Sequence, residues 1–331
     1  MTSPVRSARA ACALPFLLLC ACGSVPVRVP VTRPAEINMV AYQTVAVGEM
    51  RGRGNVVMGN ALEEALLGTG RFSVLDRQHM NSIMRELSLS ASDLADPSNA
   101  AKLGKVMSAG ALIYGDVDEQ YREVPSEERI KNKDNTVTMI FKLRGEMRTR
   151  ATFKIVDVAT GRLIIAKTYE ERRDDTNTGY NQRPDPIDVE GLARSARRGV
   201  IDRFMRAIVP HQEYVTANFQ KDSDIPQLEG GIGWAERGDW KKAQATFSQA
   251  IADGQKNPKI KSDQLSKAYW NLGLAYEYAG DYDGATATVQ KAYELSNDKD
   301  MLRELDNIRR LQDEAKRVSE QTAASVVGGA Q

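Results

Sequence analysis

The sequence predicts an α+β chain in two parts, an α/β sandwich domain followed by an all-helical domain. Three observations carry this. Over residues 42–209, short apolar runs alternate with stretches whose apolar residues recur at helical spacing. The longest strand candidate in the chain, residues 137–158, falls inside that region. Beyond about residue 229 the period is helical throughout, with no strand signal.

The elements of the first part follow in order. Residues 44–48 form a short apolar strand. Asn55 is placed to cap a helix with Met58, Leu62, Ala65 and Leu66 on one face, stopped near Gly68 and Gly70. Residues 72–75 read as a second strand, after which Asp76 caps a helix with Met80, Ile83, Met84 and Leu87 at core spacing. A further helix follows Pro97, with Leu103 and Val106 inward, before a strand over 111–118. After the long strand, Gly161 closes a turn and residues 163–169 return as its neighbour. Val189, Leu192, Ala193, Ala196, Val200, Phe204 and Ile208 mark an amphipathic helix that ends the domain. Residues 210–228 are mostly polar and read as a linker, residues 229–318 as the helical domain, and residues 319–331 as a disordered tail.

The amino terminus decides the compartment. Arg6 and Arg9 precede an apolar run, residues 10–19, that is too short to span a bilayer. It ends in Leu19-Cys20-Ala21-Cys22, which resembles a lipobox, with Cys20 a less usual occupant of its position. The resemblance implies that residues 1–21 are a signal peptide and that the thiol and amine of Cys22 are acylated. Residues 22–41, with Pro26, Pro30 and Pro34, then read as a lipidated, extended tether holding the domain off the bilayer. Gly23 is not the aspartate that retains lipoproteins in the inner membrane. Resemblance to Gram-negative lipoproteins therefore implies the outer membrane, facing the periplasm.

Composition agrees. All three cysteines, Cys12, Cys20 and Cys22, lie at or before the cut, which excludes an internal disulfide and thiolate metal chemistry. His79 and His211 stand far apart, so no metal or other cofactor is expected. Removing the leader takes away Arg6 and Arg9 and no acid, changing the formal charge from +1 to −1, and a nearly neutral chain has no overall pull toward nucleic acid. Gly52-Arg53-Gly54 followed by Gly59 has the wrong spacing for a nucleotide loop and reads as a tight strand-to-helix turn. Arg194, Arg197, Arg198, Arg203 and Arg206 read as a solvated basic face. Neither a G-x-S-x-G elbow nor an H-E-x-x-H motif occurs, and the chain is not expected to be an enzyme.

Four local strings in order resemble the curli assembly and transport (CsgG-like) lipoprotein family over residues 42–209. They are Arg71-Phe72-Ser73-Val74-Leu75-Asp76-Arg77, residues 83–89, Gly110-Ala111-Leu112-Ile113-Tyr114-Gly115-Asp116-Val117, and Asp157-Val158-Ala159-Thr160-Gly161. The resemblance implies an alternative function, an oligomeric outer-membrane secretion pore to which each subunit gives two hairpins. The long strand has the alternation for that role: Val137, Met139, Phe141 and Leu143 lie on one face, Lys142, Arg144, Glu146 and Arg148 on the other. Its neighbours do not, because residues 116–124 carry charge on both faces and Glu170, Glu171, Arg172, Arg173, Asp174 and Asp175 run consecutively. The long strand therefore reads more simply as a half-buried sheet strand with helices on its apolar side. Lipoproteins that activate peptidoglycan synthases resemble this fold too, which leaves an activator as a further alternative.

The second part resembles tetratricopeptide repeats. One unit reads Tyr269, Leu272, Gly273, Tyr276, Gly280, Tyr282, Ala285, Val289, Ala292; an earlier one reads Gly231, Trp234, Gly238, Trp240, Ala243, Phe247, Ala250. The period from Ala243 to Ala285 is 42 residues, longer than the usual 34 or so, and the excess is expected as a loop over residues 252–263. The closing proline of the family is replaced by Gln255 and Asn297. The resemblance implies a concave surface for a partner peptide, with Trp234, Trp240, Tyr269, Tyr276 and Tyr282 as candidate contact residues. The expected partners are the outer membrane through lipid on Cys22, and an envelope or secreted protein client. Two units are few for a stable array, so docking on the first domain or on a second copy is also expected.

Overall fold

The structure, a computed structural model, describes residues 23–75 and 110–323, with isolated positions between 82 and 102. The leader over 1–21, Cys22, His79, most of the helices expected after Asp76 and Pro97, and residues 324–331 lie outside the described residues. In chain order the elements are β1 (Ser24–Arg33), β2 (Thr44–Gly52), α1 (Asn55–Gly68), β3 (Ser73–Leu75), β4 (Ala111–Lys131), β5 (Val137–Asp157), β6 (Leu163–Tyr180), α2 (Val189–Ile208), β7 (His211–Gln220), α3 (Gln227–Glu236), α4 (Trp240–Lys256), α5 (Ser262–Ala279), α6 (Tyr282–Ser296) and α7 (Lys299–Thr322). They form two compact units. Of the described residues, one unit comprises those of Thr32–Gln212 with 314–323, the other 23–31 with Glu213–Asp313.

The first unit is α+β, with a sheet of order β3-β2-β4-β5-β6. Strand β2 runs parallel to β3 and β4, and Val45, Ala46 and Val47 are fully buried. A parallel strand covered on both faces needs a continuous apolar run, which is what its sequence supplies. Helix α1 crosses over from β2 to β3 and buries Met58, Leu62 and Leu66 at successive turns. Asn55 is not its cap. That position belongs to Gly54, at φ 88°, where an added Cβ would stand 2.7 Å from the Glu119 carboxyl group. At Gly52, φ 98°, a Cβ would stand 2.1 Å from the Val117 carbonyl oxygen. The tight turn between β2 and α1 thus depends on both glycines.

Strands β4, β5 and β6 continue the sheet antiparallel. The register of β4 with β5 is unbroken from Ala111↔Asp157 to Lys131↔Val137, and β5 pairs with β6 out to Ile140↔Tyr180. The strands expected to stop at residues 118 and 169 therefore run to Lys131 and Tyr180. Charges that look like strand breakers on one strand find partners on the next: Arg122–Glu146, Arg144–Asp174 and Arg148–Glu170 at 2.6, 3.2 and 2.7 Å. Opposite charges across a ladder support the register.

Helix α2, capped by Asp188 accepting the Gly191 N–H at 2.9 Å, covers one face of β5 and β6. Phe204 stacks on Phe153 with ring centroids 4.4 Å apart. Its basic residues are not all solvated as expected: Arg197 is buried and joins Glu119 and Glu190 at 2.8 and 3.0 Å, and Arg203 reaches Glu171 at 2.6 Å. The last turns of α7 belong to this unit as well. Buried Gln321 accepts the Ala35 N–H and donates to the Ala35 carbonyl at 2.8 and 2.9 Å, so the tail expected from residue 319 is helix through Thr322.

The second unit corrects two further expectations. Within the tether expected over 22–41, Ser24–Arg33 is strand β1, and the linker over 210–228 is strand β7 followed by the start of α3. The two strands pair as a ribbon, and Val27, Val29, Ala217 and Phe219 enter one core with the helices. Pro26 and Pro30 occupy exposed positions. The Gly23 carbonyl accepts from Lys221 N–H, so by alternation the proline nitrogens face away from β7 and no ladder bond is lost.

Helices α3 to α6 form two antiparallel pairs of the tetratricopeptide kind. Asp239 and Asp281 cap the second helix of each pair, accepting from Lys242 N–H and Gly284 N–H. Close approach rests on equivalent glycines: a Cβ at Gly231 would lie 2.2 Å from the Phe247 ring, and one at Gly273 would lie 2.5 Å from Val289. The long period is not a long loop. Helix α4 runs to Lys256 and α5 starts at Ser262, because Ile251 and Gly254 stay buried and Gly254 packs beside Leu265.

Candidate partner-binding surfaces

Lys267, Trp270, Asn271 and Leu274 share one face of α5 at helical spacing, and that face is already covered. Trp270 Nε1 donates to the Asn218 carbonyl at 2.9 Å. The side-chain amide of Asn271 accepts the Gln220 N–H and donates to the Gln220 carbonyl, both at 2.8 Å. Lys267 Nζ meets Asp222 at 2.8 Å. Burial alone would raise the Asp222 carboxyl, but hydrogen bonds from Lys267, the Asp224 N–H and Gln264, with the Lys267 charge, hold it below the ordinary carboxylate range. Above these contacts, Phe219 stacks on Phe247 with centroids 5.9 Å apart.

Paired donor and acceptor bonds to one residue's backbone are how a side-chain amide grips an extended peptide. Here the peptide is the chain's own β7. On this face of α5 the ribbon therefore occupies the position that a bound peptide could take. Replacing Asn271 with Leu is expected to leave the Gln220 N–H and carbonyl unpartnered and to cost about 2 kcal/mol. Urea unfolding of the full chain and faster amide exchange at Gln220 would report it; unchanged exchange would show that Asn271 does not hold the strand.

The five candidate aromatic residues all lie half-buried against the helical core. Lys242 and Arg237 sit over the Trp234 ring at 4.4 and 5.6 Å, and Trp240 packs on Tyr278 with centroids 5.8 Å apart. The Tyr269 hydroxyl accepts from Gln255 Nε2 at 2.9 Å. Tyr276 is in the last turn of α5 and Tyr282 opens α6. Cys22 lies outside the described residues. Trp270 and Asn271 escaped the sequence reading, and the one signal for them was an asparagine on a helix face otherwise meant for the core.

A second surface is the arm formed by β4, β5 and β6 beyond the last β2 pairing at Val117. Its base is covered on one face by α2, where Met147 packs with Ala193 and Ala196. The opposite face is a lattice of charges, in which Arg148 and Arg172 hold the Glu170 carboxyl down to about 2. Toward the tip, Val124, Ile130, Val137 and Tyr180 are exposed. An open groove of about 660 Å³ there is lined by Pro125, Phe141, Leu143 and Pro184 among others. Among the described residues, no strand pairs with the outer side of β6 or with the side of β4 past Val117.

Among the described residues, no helix is long and apolar enough to cross a membrane, and no group of His, Cys, Asp and Glu could hold a metal ion. The arrangement is that of an α+β domain joined to tetratricopeptide-like helix pairs. Residues 43–128 match the curli production assembly/transport component CsgG, and residues 235–298 match the tetratricopeptide repeat. Both are accessory or binding types rather than catalytic ones. The first match ends inside β4. No curated protein matches the sequence.

Similar solved structures include the C-terminal domain of LpoB from Salmonella enterica, at 17% identity and TM-score 0.23, covering 39% of this chain and 82% of that one. Lipoprotein GNA1162 from Neisseria meningitidis is similar at 13% identity and TM-score 0.26, covering 48% and 98%. The hypothetical protein CT253 from Chlamydia trachomatis follows at 10% and 0.25, covering 50% and 96%. Scores this low fix neither partner nor activity.

Proposed function

We propose that this chain is an outer-membrane-anchored, periplasm-facing lipoprotein that serves as a protein-binding accessory component of envelope assembly or secretion. The observation that carries the reading is the arm. It offers two strand edges that no described strand covers, and at its tip exposed Val124, Ile130, Val137 and Tyr180 stand among Glu127, Glu128, Arg129 and Lys131, a surface suited to pairing with an extended segment of another protein. The chain's motifs assign it no catalytic step. The lipobox at Cys22 supplies the anchor, and the helical unit supplies a second, half-exposed aromatic surface around Trp234 and Trp240 for a client.

A photo-crosslinking residue at Val124 or Tyr180 of the full-length protein, in native envelopes, is expected to trap a protein partner or a second copy. The same residue at Val56, exposed on α1, should not. Equal yields at all three positions would remove the arm from the reading.

The length of the β4–β5 hairpin favours a second reading, the secretion pore. Each strand has 21 residues, well beyond the 9–11 or so that a bilayer needs. Against it, Arg148 and Arg172 stand on one face of the arm and Glu171 and Arg173 on the other, and a basic residue facing lipid costs roughly 2–4 kcal/mol near the midplane. Stepwise conductance of the purified protein in planar bilayers would replace the accessory reading with the pore.

A further inference from the structure

The anchor and the ribbon leave no slack between them. Strand β1 starts at Ser24, and the Gly23 carbonyl is already bound to the Lys221 N–H at 3.3 Å. Gly23 alone separates Cys22 from that strand. Two residues of extended chain reach about 7 Å, whereas a free tether over residues 22–41 would have reached about 65 Å at the same rise per residue. Strand β1 is also no loose end, since Val27 and Val29 are buried in the core of the helical unit.

We propose that the helical unit rests directly on the bilayer, with Gly23 and the turn over residues 221–224 at the level of the lipid headgroups. This rests on acylation of Cys22. The acyl chains enter the hydrocarbon, and the strand that carries them is pinned to the unit's core. The end that reaches the surface is chemically suited to it. Ser24, Ser223 and Asp224 are exposed, and Lys221 pairs with exposed Glu229 at 3.4 Å. Such groups belong in the hydrated interface and not in hydrocarbon. The partner is therefore a phospholipid surface, engaged by covalent proximity rather than by net charge. A client of the helical unit must then approach it from the side away from this turn.

The test uses the full-length acylated protein in phosphatidylcholine vesicles doped with a headgroup nitroxide lipid. Cys22 is the sole cysteine after the leader, so with its thiol acylated, Lys221→Cys provides one free thiol for a fluorophore. Fluorescence is expected to fall at least twofold on adding the nitroxide lipid. A twelve-residue Gly/Ser insert between Gly23 and Ser24 adds about 17–21 Å of mean reach and should restore most of the signal while leaving β1 whole. Mass spectrometry of the same samples reports the acyl groups. Acylated protein whose label is not quenched, or is quenched equally with the insert, overturns the proposal and leaves the anchor standing. An unmodified Cys22 overturns both.

Discussion

Removing residues 23–31 is expected to destabilise the helical unit by about 3–6 kcal/mol. Val27 and Val29 are 3% and 2% exposed, and each fully buried valine contributes roughly 1.5–3 kcal/mol through apolar surface withdrawn from water. The deletion also strips β7 of its ladder partner and opens the core beside Phe219, which is fully buried. The natural comparison is Cys22→Ser, which removes the acylated thiol and keeps β1. Thermal unfolding followed by helical circular dichroism should show Cys22→Ser close to the unmodified chain. The deletion should lower Tm by more than about 10 °C. A fragment beginning near Ala35, the obvious way to obtain a form without lipid, would carry the same defect. Partner assays on such a fragment would then report on a damaged helical unit. Equal midpoints for the two variants would mean that β1 is an ornament on the unit and not part of its core.

That prediction turns on the part of the fold least visible in the chain. Strand β2 announces itself, because Val45, Ala46 and Val47 are consecutive and a parallel strand buries both faces. Helix α2 does too, through the spacing of Ala193, Ala196, Val200 and Phe204. The repeat pairing was legible in Gly231 with Phe247 and in Gly273 with Val289, since contacts that close admit no larger side chain. The ribbon was not. Its strands lie almost two hundred residues apart, and each alone shows a modest period-two pattern, Val25, Val27 and Val29 in one, Val215, Ala217 and Phe219 in the other. Prolines on the outer side of β1 and polar residues on that of β7 then suggest tether and linker. The charged ends of β4 and β6 misled for a related reason, because Arg122 or Asp174 breaks a strand only until its cross-strand partner is known.

The candidate surface was partly legible in the same way. A repeat pattern selects the residues that build the helix pairs, such as Tyr269 and Gly273. It is silent on Trp270 and Asn271, whose role exists only once β7 lies across them. Local pattern reports what a helix does for itself, and not what it holds.

Glu277→Gln is expected to stabilise the helical unit at neutral pH and to flatten its pH dependence. Glu277 lies in α5, 2% exposed, and its carboxyl group faces that of Glu304. Burial, followed by the charge of Glu304 on α7, pushes its carboxyl from 4.5 up to about 9, against the pull of Arg310. Burial raises Glu304 as well, so the two acids titrate as a pair.

The sign follows from which state gives up its proton first. Below the ordinary value of 4.5 both folded and unfolded chains are protonated here, and the group's full contribution to stability is present. As the pH rises past that value the unfolded chain releases the proton while the folded chain keeps it, and stability falls until the folded group ionises near 9. At pH 7 the loss is on the order of 3 kcal/mol. The neutral amide has no proton to lose, so Glu277→Gln should match the unmodified chain at pH 4.5 and exceed it by that amount at pH 7, with the same urea m-value. A chain whose midpoint holds steady from pH 5 to 8, or a variant that is weaker at pH 7, would mean that Arg310 reaches the carboxylate and compensates it. The buried acid would then be one half of an ion pair, and the contact between α5 and α7 would tighten with rising pH instead of loosening.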